Sequence, residues 1–300
     1  MGYQFIEMIT DFKIGNLCLR FSLSRKLFNP ALDNTFNKFT VNDRNKQLPV
    51  LQEDNPLPRM TLLVVDKRWI HPSVSFLVST DSWDLWQDEN LGFIFSFKQY
   101  KEPFLLARVD KNFTSTEIHW VNPKKDLSKI SIKDILDLRL YLNWLANFGD
   151  LVLHASGFVY EGKGYCFLGE SGRGKSTLVR SLARQEGLTV LGEDQVILRF
   201  LDGQFRIFGT PWHTDPNLCA ALDAPLEKIF FLDREQPATI REMSSMEMAS
   251  RMLQTAFVPW YRKDCLPLIL ERVGLLSENI RCLTLSYKLG QDGLQTLLDA

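Results

Sequence analysis

The chain lacks the features that would place it in several large functional classes. No apolar run approaches the roughly 18–20 residues of a membrane-crossing helix, and no basic stretch followed by an apolar one opens the sequence as a secretory leader would. There is no excess of positive charge: 35 Lys and Arg stand against 36 Asp and Glu, which leaves a net charge of −1 and no basic footprint for nucleic acid or an anionic membrane. The five cysteines, Cys18, Cys166, Cys219, Cys265 and Cys282, are scattered with no C-x-x-C spacing. An odd, dispersed set argues against a disulfide framework and for reduced thiols in the cytoplasm. No internal repeat or low-complexity run appears. With 45% apolar and 24% charged residues over 300 positions, the chain can bury a large interior, as two cores or one enlarged core.

Against that background one motif is complete. Gly169-Glu170-Ser171-Gly172-Arg173-Gly174-Lys175-Ser176 matches G-x-x-x-x-G-K-[ST], a phosphate-binding loop. An apolar run, Tyr165-Cys166-Phe167-Leu168, precedes it as a buried strand would. Leu178, Val179, Leu182 and Ala183 follow at helical spacing, with Gly187 as the expected helix end. In such a loop the glycines let backbone N–H groups face phosphate oxygens with no Cβ in the way. The helix adds roughly half a positive charge at its N-terminus. Lys175 is expected to reach the β- and γ-phosphates and Ser176 to ligate Mg²⁺. Thr177 either supports the metal shell or is structural. The plainer alternative is a glycine-rich turn that holds a simple anion or nothing.

The character of the chain changes near residue 130. Before it, β-branched and aromatic runs recur at Gly15–Leu23, Met60–Val65, Val74–Val78, Leu91–Phe97, Phe104–Val109 and Glu117–Val121, separated by turn formers. This predicts a mainly antiparallel β module over residues 1–130, with 29–58 as a long surface connection. Trp83 and Trp86 fall in a loop-like stretch, 81–90, as ligand-stacking groups or as plugs at the edge of the module. From an N-cap at Ser131 an apolar helix is expected to run to Phe148 and end at Gly149. Residues 131–300 then form the nucleotide-binding α/β domain.

Beyond the loop's helix, the strand Leu188–Leu191 leads into Gly192-Glu193-Asp194. Adjacent carboxylates at the end of a strand lie where an open α/β sheet places its ligand groups. One can hold Mg²⁺ and the other can accept the proton of an attacking hydroxyl. A β-hairpin follows, Val196–Phe200 and Phe205–Phe208 around Asp202-Gly203. Neither a D-x-x-G switch nor an N-K-x-D base-reading loop stands in a sensible position, which disfavours a regulatory GTPase.

The run from Leu151 to Ile197 resembles the catalytic domain of the HPr kinase/phosphorylase family, itself similar to phosphoenolpyruvate carboxykinases. The similarity is carried by Leu153-His154-Ala155-Ser156-Gly157-Phe158-Val159-Tyr160, the turn Glu161-Gly162-Lys163-Gly164, the phosphate loop and the acid pair Glu193-Asp194. The family's usual pair is Asp-Asp, so Glu193 is a departure. The resemblance implies a P-loop nucleotide-binding core with a mixed sheet behind the N-terminal β module. It also implies ATP, or GTP, with Mg²⁺ as cofactors and a possible homo-oligomer. It nominates His154 near the transferred phosphate, Lys175 and Ser176 for nucleotide and metal, and Asp194 with Glu193 for metal and base duty, either way round. The signature by which true HPr kinases engage HPr is missing. The chain looks more like HPr-kinase-like proteins whose acceptor is a serine hydroxyl of a peptide or protein, or a small hydroxylated molecule.

Three signals remain open. His154 by itself also reads as a core histidine. Gly209-Thr210-Pro211-Trp212-His213-Thr214-Asp215 either lines an acceptor site or is a rigid turn. Arg234, Arg241, Arg251 and Arg262 each have the charge to stabilise a transferring phosphoryl group. The expected activity is transfer of a γ-phosphoryl group to a hydroxyl. Other readings are a nucleotide-binding regulatory or scaffold protein with little turnover, and an enzyme that uses phosphate or pyrophosphate.

Overall fold

The structure, a computed structural model, describes residues 7–24, 34–41, 59–65, 74–88, 92–99, 101–121, 133, 137–170, 172–213, 215–233, 239–286 and 293–299. Backbone contacts divide the chain into two compact units, Met1–Trp144 and Leu145–Ala300. Both contain β-sheet, and the second is a mixed α/β arrangement. Among the described residues no helix is long and apolar enough to cross a membrane.

Among the described residues of the first unit, eight strands form one sheet. They are β1 (Glu7–Ile14), β2 (Leu17–Ser24), β3 (Arg59–Val65), β4 (Ser75–Ser79), β5 (Trp83–Asp88), β6 (Gly92–Gln99), β7 (Glu102–Val109) and β8 (Ser115–Trp120). Their order is β1-β2-β3-β8-β7-β6-β5-β4, antiparallel except where β3 lies parallel to β2 and β8. Gly15 and Asn16 both take positive φ, the conformation that a two-residue hairpin turn between right-twisted strands requires. Thus β2 starts at Leu17, and the run expected from Gly15 begins with a turn. Phe12 and Ile14 of β1 are fully buried, and Phe36 of the short helix α1 (Asn34–Asn37) meets Phe12 edge-on at 5.7 Å. Phe95 and Phe97 stack at 6.0 Å, and Phe113 sits edge-on to Phe95.

Two expectations change here. Trp83 and Trp86 do not lie in a loop: both are on β5, where Trp83 packs on Phe95 at 5.8 Å and Trp86 on Phe76 at 6.3 Å. Acidic residues at Asp84 and Asp88 had masked the strand pattern. The helix before residue 150, α2, spans Leu138–Ala146, and Ser131, its proposed N-cap, lies outside the described residues, as does most of the 29–58 connection. Tyr141 and Trp144 of α2 are buried, and the Tyr141 hydroxyl donates to the Ile14 carbonyl.

The second unit is built on a sheet ordered β10-β9-β12-β13-β14-β16-β15, with β10 also paired to β14 and β11 to β9. Its strands are β9 (Leu151–Tyr160), β10 (Lys163–Leu168), β11 (Thr189–Gly192), β12 (Gln195–Leu201), β13 (Gln204–Phe208), β14 (Asp223–Asp233), β15 (Thr239–Glu242) and β16 (Arg281–Ser286). Its helices are α3 (Lys175–Leu182), α4 (Ser245–Thr255), α5 (Leu266–Asn279) and α6 (Gly293–Asp299). Glu161-Gly162 and Asp202-Gly203 take positive φ at both positions and close the β9–β10 and β12–β13 hairpins.

Strands β10, β14 and β16 are parallel, and their near-continuous apolar runs reflect burial on both faces. One face packs Leu153, Cys166, Ile229 and Phe231 against Met248 and Met252 of α4 and Ile269 and Val273 of α5. The other packs Phe158, Phe167 and Phe230 against Val179 and Leu182 of α3 and Leu297 of α6. The Ser244 hydroxyl caps α4 by accepting from the Glu247 N–H, and Pro267 sits in the first turn of α5. Helix α3 ends at Leu182, short of Gly187, because residues 183–188 fold into successive turns before β11.

The second unit buries one ion pair almost completely: Arg199 Nε lies 2.6 Å from Asp150 Oδ2, with 5% and 2% of the two side chains exposed. Burial pushes the Asp150 carboxyl up to about 6, and the Arg199 guanidinium opposes that rise. Between the ordinary carboxylate value and the raised one, the folded state binds more protons than the unfolded, so this carboxyl's contribution to stability falls as pH rises. Arg199→Met leaves the buried carboxylate without its counter-charge. It is expected to cost about 3–5 kcal/mol at about pH 8 and clearly less at about pH 5, where Asp150 takes up a proton. Urea unfolding at the two pH values checks this, and an equal loss at both would refute the assignment.

Candidate functional site

Strand β9 positions the site, because it is paired along both edges. On one edge Ala155 faces Leu168, the last residue of β10. On the other, β11 and β12 run one after the other along the same strand, with Gly192 opposite Gly157 and Gln195 opposite His154. The two acids, Glu193 and Asp194, form the bend between them, so they lie within a row of strands and not at a free strand end. Adjacent strands lie about 4.8 Å apart, so the backbone of Asp194 stands roughly 10 Å from the mouth of the loop that follows Leu168.

That loop has the backbone its sequence demands. Gly169, Gly172 and Gly174 all take positive φ, and a Cβ on Gly169 would stand 3.1 Å from the Leu232 carbonyl of neighbouring β14. Gly174 caps α3 in the left-handed conformation. Ser171 lies outside the described residues. Glu170 and Arg173 pair with each other, Arg173 Nη2 to Glu170 Oε2 at 2.6 Å, and Thr177 is exposed. Lys175 is 5% exposed and folds back on its own loop, donating to the carbonyls of Gly169 at 2.8 Å and Glu170 at 3.2 Å. Burial lowers the pKa of its ammonium, and the nearby Asp194 opposes the shift.

The acids have different environments. The Glu193 carboxylate is buried and takes two bonds from the Arg180 guanidinium, Nε at 2.9 Å and Nη2 at 2.5 Å. The carbonyl of Glu193 accepts from Ser156 Oγ at 2.5 Å and from Ser176 Oγ at 3.3 Å. The first turn of α3 is thereby held against the bend. Asp194, with 55% of its side chain exposed, projects outward. His154 Nδ1 lies 3.1 Å from the Asp194 carbonyl and 3.4 Å from Asp194 Oδ1. A carbonyl only accepts, so Nδ1 carries the proton and a neutral His154 presents Nε2 as its lone-pair nitrogen.

The segment Thr210–His213 supports this bend from behind. Thr210 Oγ1 donates to the Gln195 carbonyl at 2.9 Å and sits 3.0 Å from His213 Nε2. His213 is buried and closes on Gly192, where a Cβ would stand 2.5 Å from its Nε2. Thr210 and His213 hold the acid bend in place, and Thr214 lies outside the described residues.

Of the open arginines, Arg234 lies outside the described residues. Arg241 pairs with Glu247, and Arg262 is buried on Asp264, Asn147 and Cys265. Arg251 makes two bonds, at 2.9 and 3.0 Å, to Asp233, which ends the strand parallel to β10 beside the loop. The structure thus gathers His154, Lys175, Ser176, Glu193 and Asp194 at one place. Sequence reasoning missed the Arg180–Glu193 pair. It also missed the approach of Phe257, whose N–H donates to the Val152 carbonyl and whose ring centroid lies 6.3 Å from that of His154.

No known protein family matches the chain, and no curated relative is found. Among solved structures, the Hpr(Ser) kinase/phosphatase from Coxiella burnetii aligns with 49% of this chain and 93% of its own, at 13% sequence identity and a TM-score of 0.29.

Two glycines test the packing behind the acids. Gly192→Ala drives a methyl into His213 and the Gln195 carbonyl and is expected to cost about 1–3 kcal/mol. Gly274→Ala, in α5 with open space around its Cβ position, is expected to be neutral or to stabilise by up to about 1 kcal/mol. Thermal unfolding of both variants reads the contrast, and a Gly192→Ala protein as stable as the wild type would contradict the tight approach.

Proposed function

We propose that the protein is an Mg²⁺·nucleotide-dependent phosphotransferase that moves a γ-phosphoryl group, from ATP or GTP, to a hydroxyl of a peptide, protein or small molecule. The observation that carries the proposal is the juxtaposition of a glycine-conformation loop and its buried lysine with an exposed carboxylate–histidine pair, His154 on the adjacent strand β9 and Asp194 in the bend beyond it.

The contacts support the following roles. The loop amides of residues 169–176 and Lys175 bind the β- and γ-phosphates once Nζ leaves the Gly169 and Glu170 carbonyls. Ser176 Oγ and the outer oxygen of Asp194 are the groups that fit a small hard cation. Among the described residues no cluster of three or more His, Cys, Asp or Glu side chains could hold a metal by itself, and Ser176 and Asp194 would hold Mg²⁺ together with the nucleotide. Mg²⁺ bound there neutralises charge on the phosphoryl oxygens. With Nδ1–H directed at Asp194, His154 Nε2 takes the proton of the acceptor hydroxyl as its oxygen bonds to the γ-phosphorus. The bond to the β–γ bridging oxygen breaks, and the nucleoside diphosphate leaves. Glu193, held by Arg180, keeps the bend in register and neither ligates nor abstracts. This makes one choice between the two carboxylate assignments, and it moves the base from the acid pair to the histidine.

Calorimetry with Mg·ATP and Mg·GTP, followed by phosphate transfer on the same samples, tests the reading. Lys175→Ala is expected to abolish nucleotide binding and to lower transfer by several powers of ten. His154→Ala should bind nucleotide normally and lose about 10²–10⁴-fold in kcat. Asp194→Asn should weaken Mg²⁺ dependence as well as kcat. Tight binding with no transfer to any hydroxyl compound would favour a regulatory nucleotide-binding role. No binding to the wild-type protein would remove the basis of the proposal.

A further inference from the structure

The segment that follows α4 carries two large aromatic side chains into solvent: Phe257 is 39% and Trp260 55% exposed. Exposed singly such residues are ordinary; these two share one segment whose backbone is fixed at both ends, and the Phe257 ring lies 6.3 Å from that of His154, the candidate base. At one end Ala256 makes an antiparallel bridge with Leu153, and the Phe257 N–H bonds to the Val152 carbonyl. This places the segment on the β10 side of β9, two residues beyond Ala155, the partner of Leu168. It therefore borders the mouth of the phosphate loop. Between the ends Pro259 is buried, and the N–H groups of Val258, Trp260 and Arg262 bond to the carbonyls of Ala256, Val258 and Pro259 at 2.8–3.1 Å. At the other end Arg262, 2% exposed, is tied to Asp264 and Asn147. A ledge fixed at both ends loses little conformational freedom on binding, which is what a pre-organised recognition element requires.

The chemistry of the ledge selects its occupant. From Ala256 to Trp260 the side chains are Ala, Phe, Val, Pro and Trp, and their one hydrogen-bonding group is the indole N–H. A sugar stacked on an aromatic ring needs partners for its ring hydroxyls, and these side chains supply almost none. An aliphatic or aromatic side chain needs only apolar surface. We propose that Phe257 and Trp260 form the acceptor subsite and determine specificity for a serine- or threonine-containing peptide with an apolar side chain next to the phosphorylated hydroxyl. The inference rests on the phosphotransfer reading above. The apolar neighbour lies on the ledge, and the hydroxyl thereby falls between His154 and the loop.

The test uses the full chain with Mg·ATP and two serine peptides of equal length, one with Leu and Phe flanking the serine and one with Gly and Asn there. A methyl glucoside serves as the carbohydrate arm. The apolar peptide is expected to be preferred by about tenfold or more in kcat/KM. Trp260→Ala should erase that preference by raising KM about tenfold, with kcat for the bound peptide changed far less. Phe257→Leu should do so partially, and Lys175→Ala should abolish transfer to every acceptor. Equal use of both peptides, a preference that survives Trp260→Ala, or a preference for the glucoside would overturn the subsite. If neither peptide is phosphorylated, tryptophan fluorescence decides. Binding of the apolar peptide that perturbs the wild-type signal, and not that of Trp260→Phe, would sustain the subsite and sink the kinase reading. No perturbation would sink the subsite.

Discussion

The pairing of β9 along both edges is the constraint on which the site depends. Its inner half is laced to β12 and its outer half to β10, with β11 alongside, so a single strand sets the distance from the glycine-rich loop to the acids. Where the ladder on the acid side is loosened, opposite Ala155 and Ser156, the Ser156 hydroxyl takes the place of a ladder donor by bonding to the Glu193 carbonyl. A slip of one residue in this pairing would turn His154 and its neighbours to the opposite face of the sheet. The closely fitted glycines, Gly157 against Ile207 and Val196 and Gly192 against His213, make such a slip sterically costly.

Charge is arranged so that a few groups keep freedom and the rest are held. Arg180 holds Glu193, Arg251 holds Asp233, Arg199 holds Asp150, and Arg262 is anchored among Asp264, Asn147 and Cys265. In the buried Arg199–Asp150 pair, removing one partner leaves an uncompensated charge; the others, more exposed, tie elements together even where their net stabilisation is small. Asp194 is the exception near the loop: its side chain is more than half exposed, and among the described residues its ion-pair contact is with His154. An enzyme of the proposed kind needs that asymmetry, because a group that must exchange partners during a reaction cannot also be a structural tie.

Local chemistry made much of this legible in the sequence. The glycine-rich loop, its strand and its helix follow from glycine spacing and apolar periodicity. The hairpins follow from Glu161-Gly162 and Asp202-Gly203, and the start of α5 from Pro267. What escaped was non-local or locally contradictory. The Arg180–Glu193 pair joins a helix to a bend across 13 positions, and no local pattern signals which arginine meets which acid. Strand β5 was hidden by the carboxylates that alternate with Trp83 and Trp86. The placement of Phe257 beside His154 depends on a bridge between residues about a hundred positions apart. Local propensity carries no information about such a contact.

The folded-back lysine has a consequence for selectivity. With Nζ bonded to two carbonyls of its own loop, the charge of Lys175 is engaged within the loop itself. An incoming anion competes with that internal pair before it gains anything from Lys175. A single weakly charged oxyanion gains little in the exchange, whereas a polyphosphate can engage several amides and the ammonium at once. In a phosphotransferase of the proposed kind the loop would thus act as a threshold that discriminates by charge density, with its own carbonyls setting the height of that threshold.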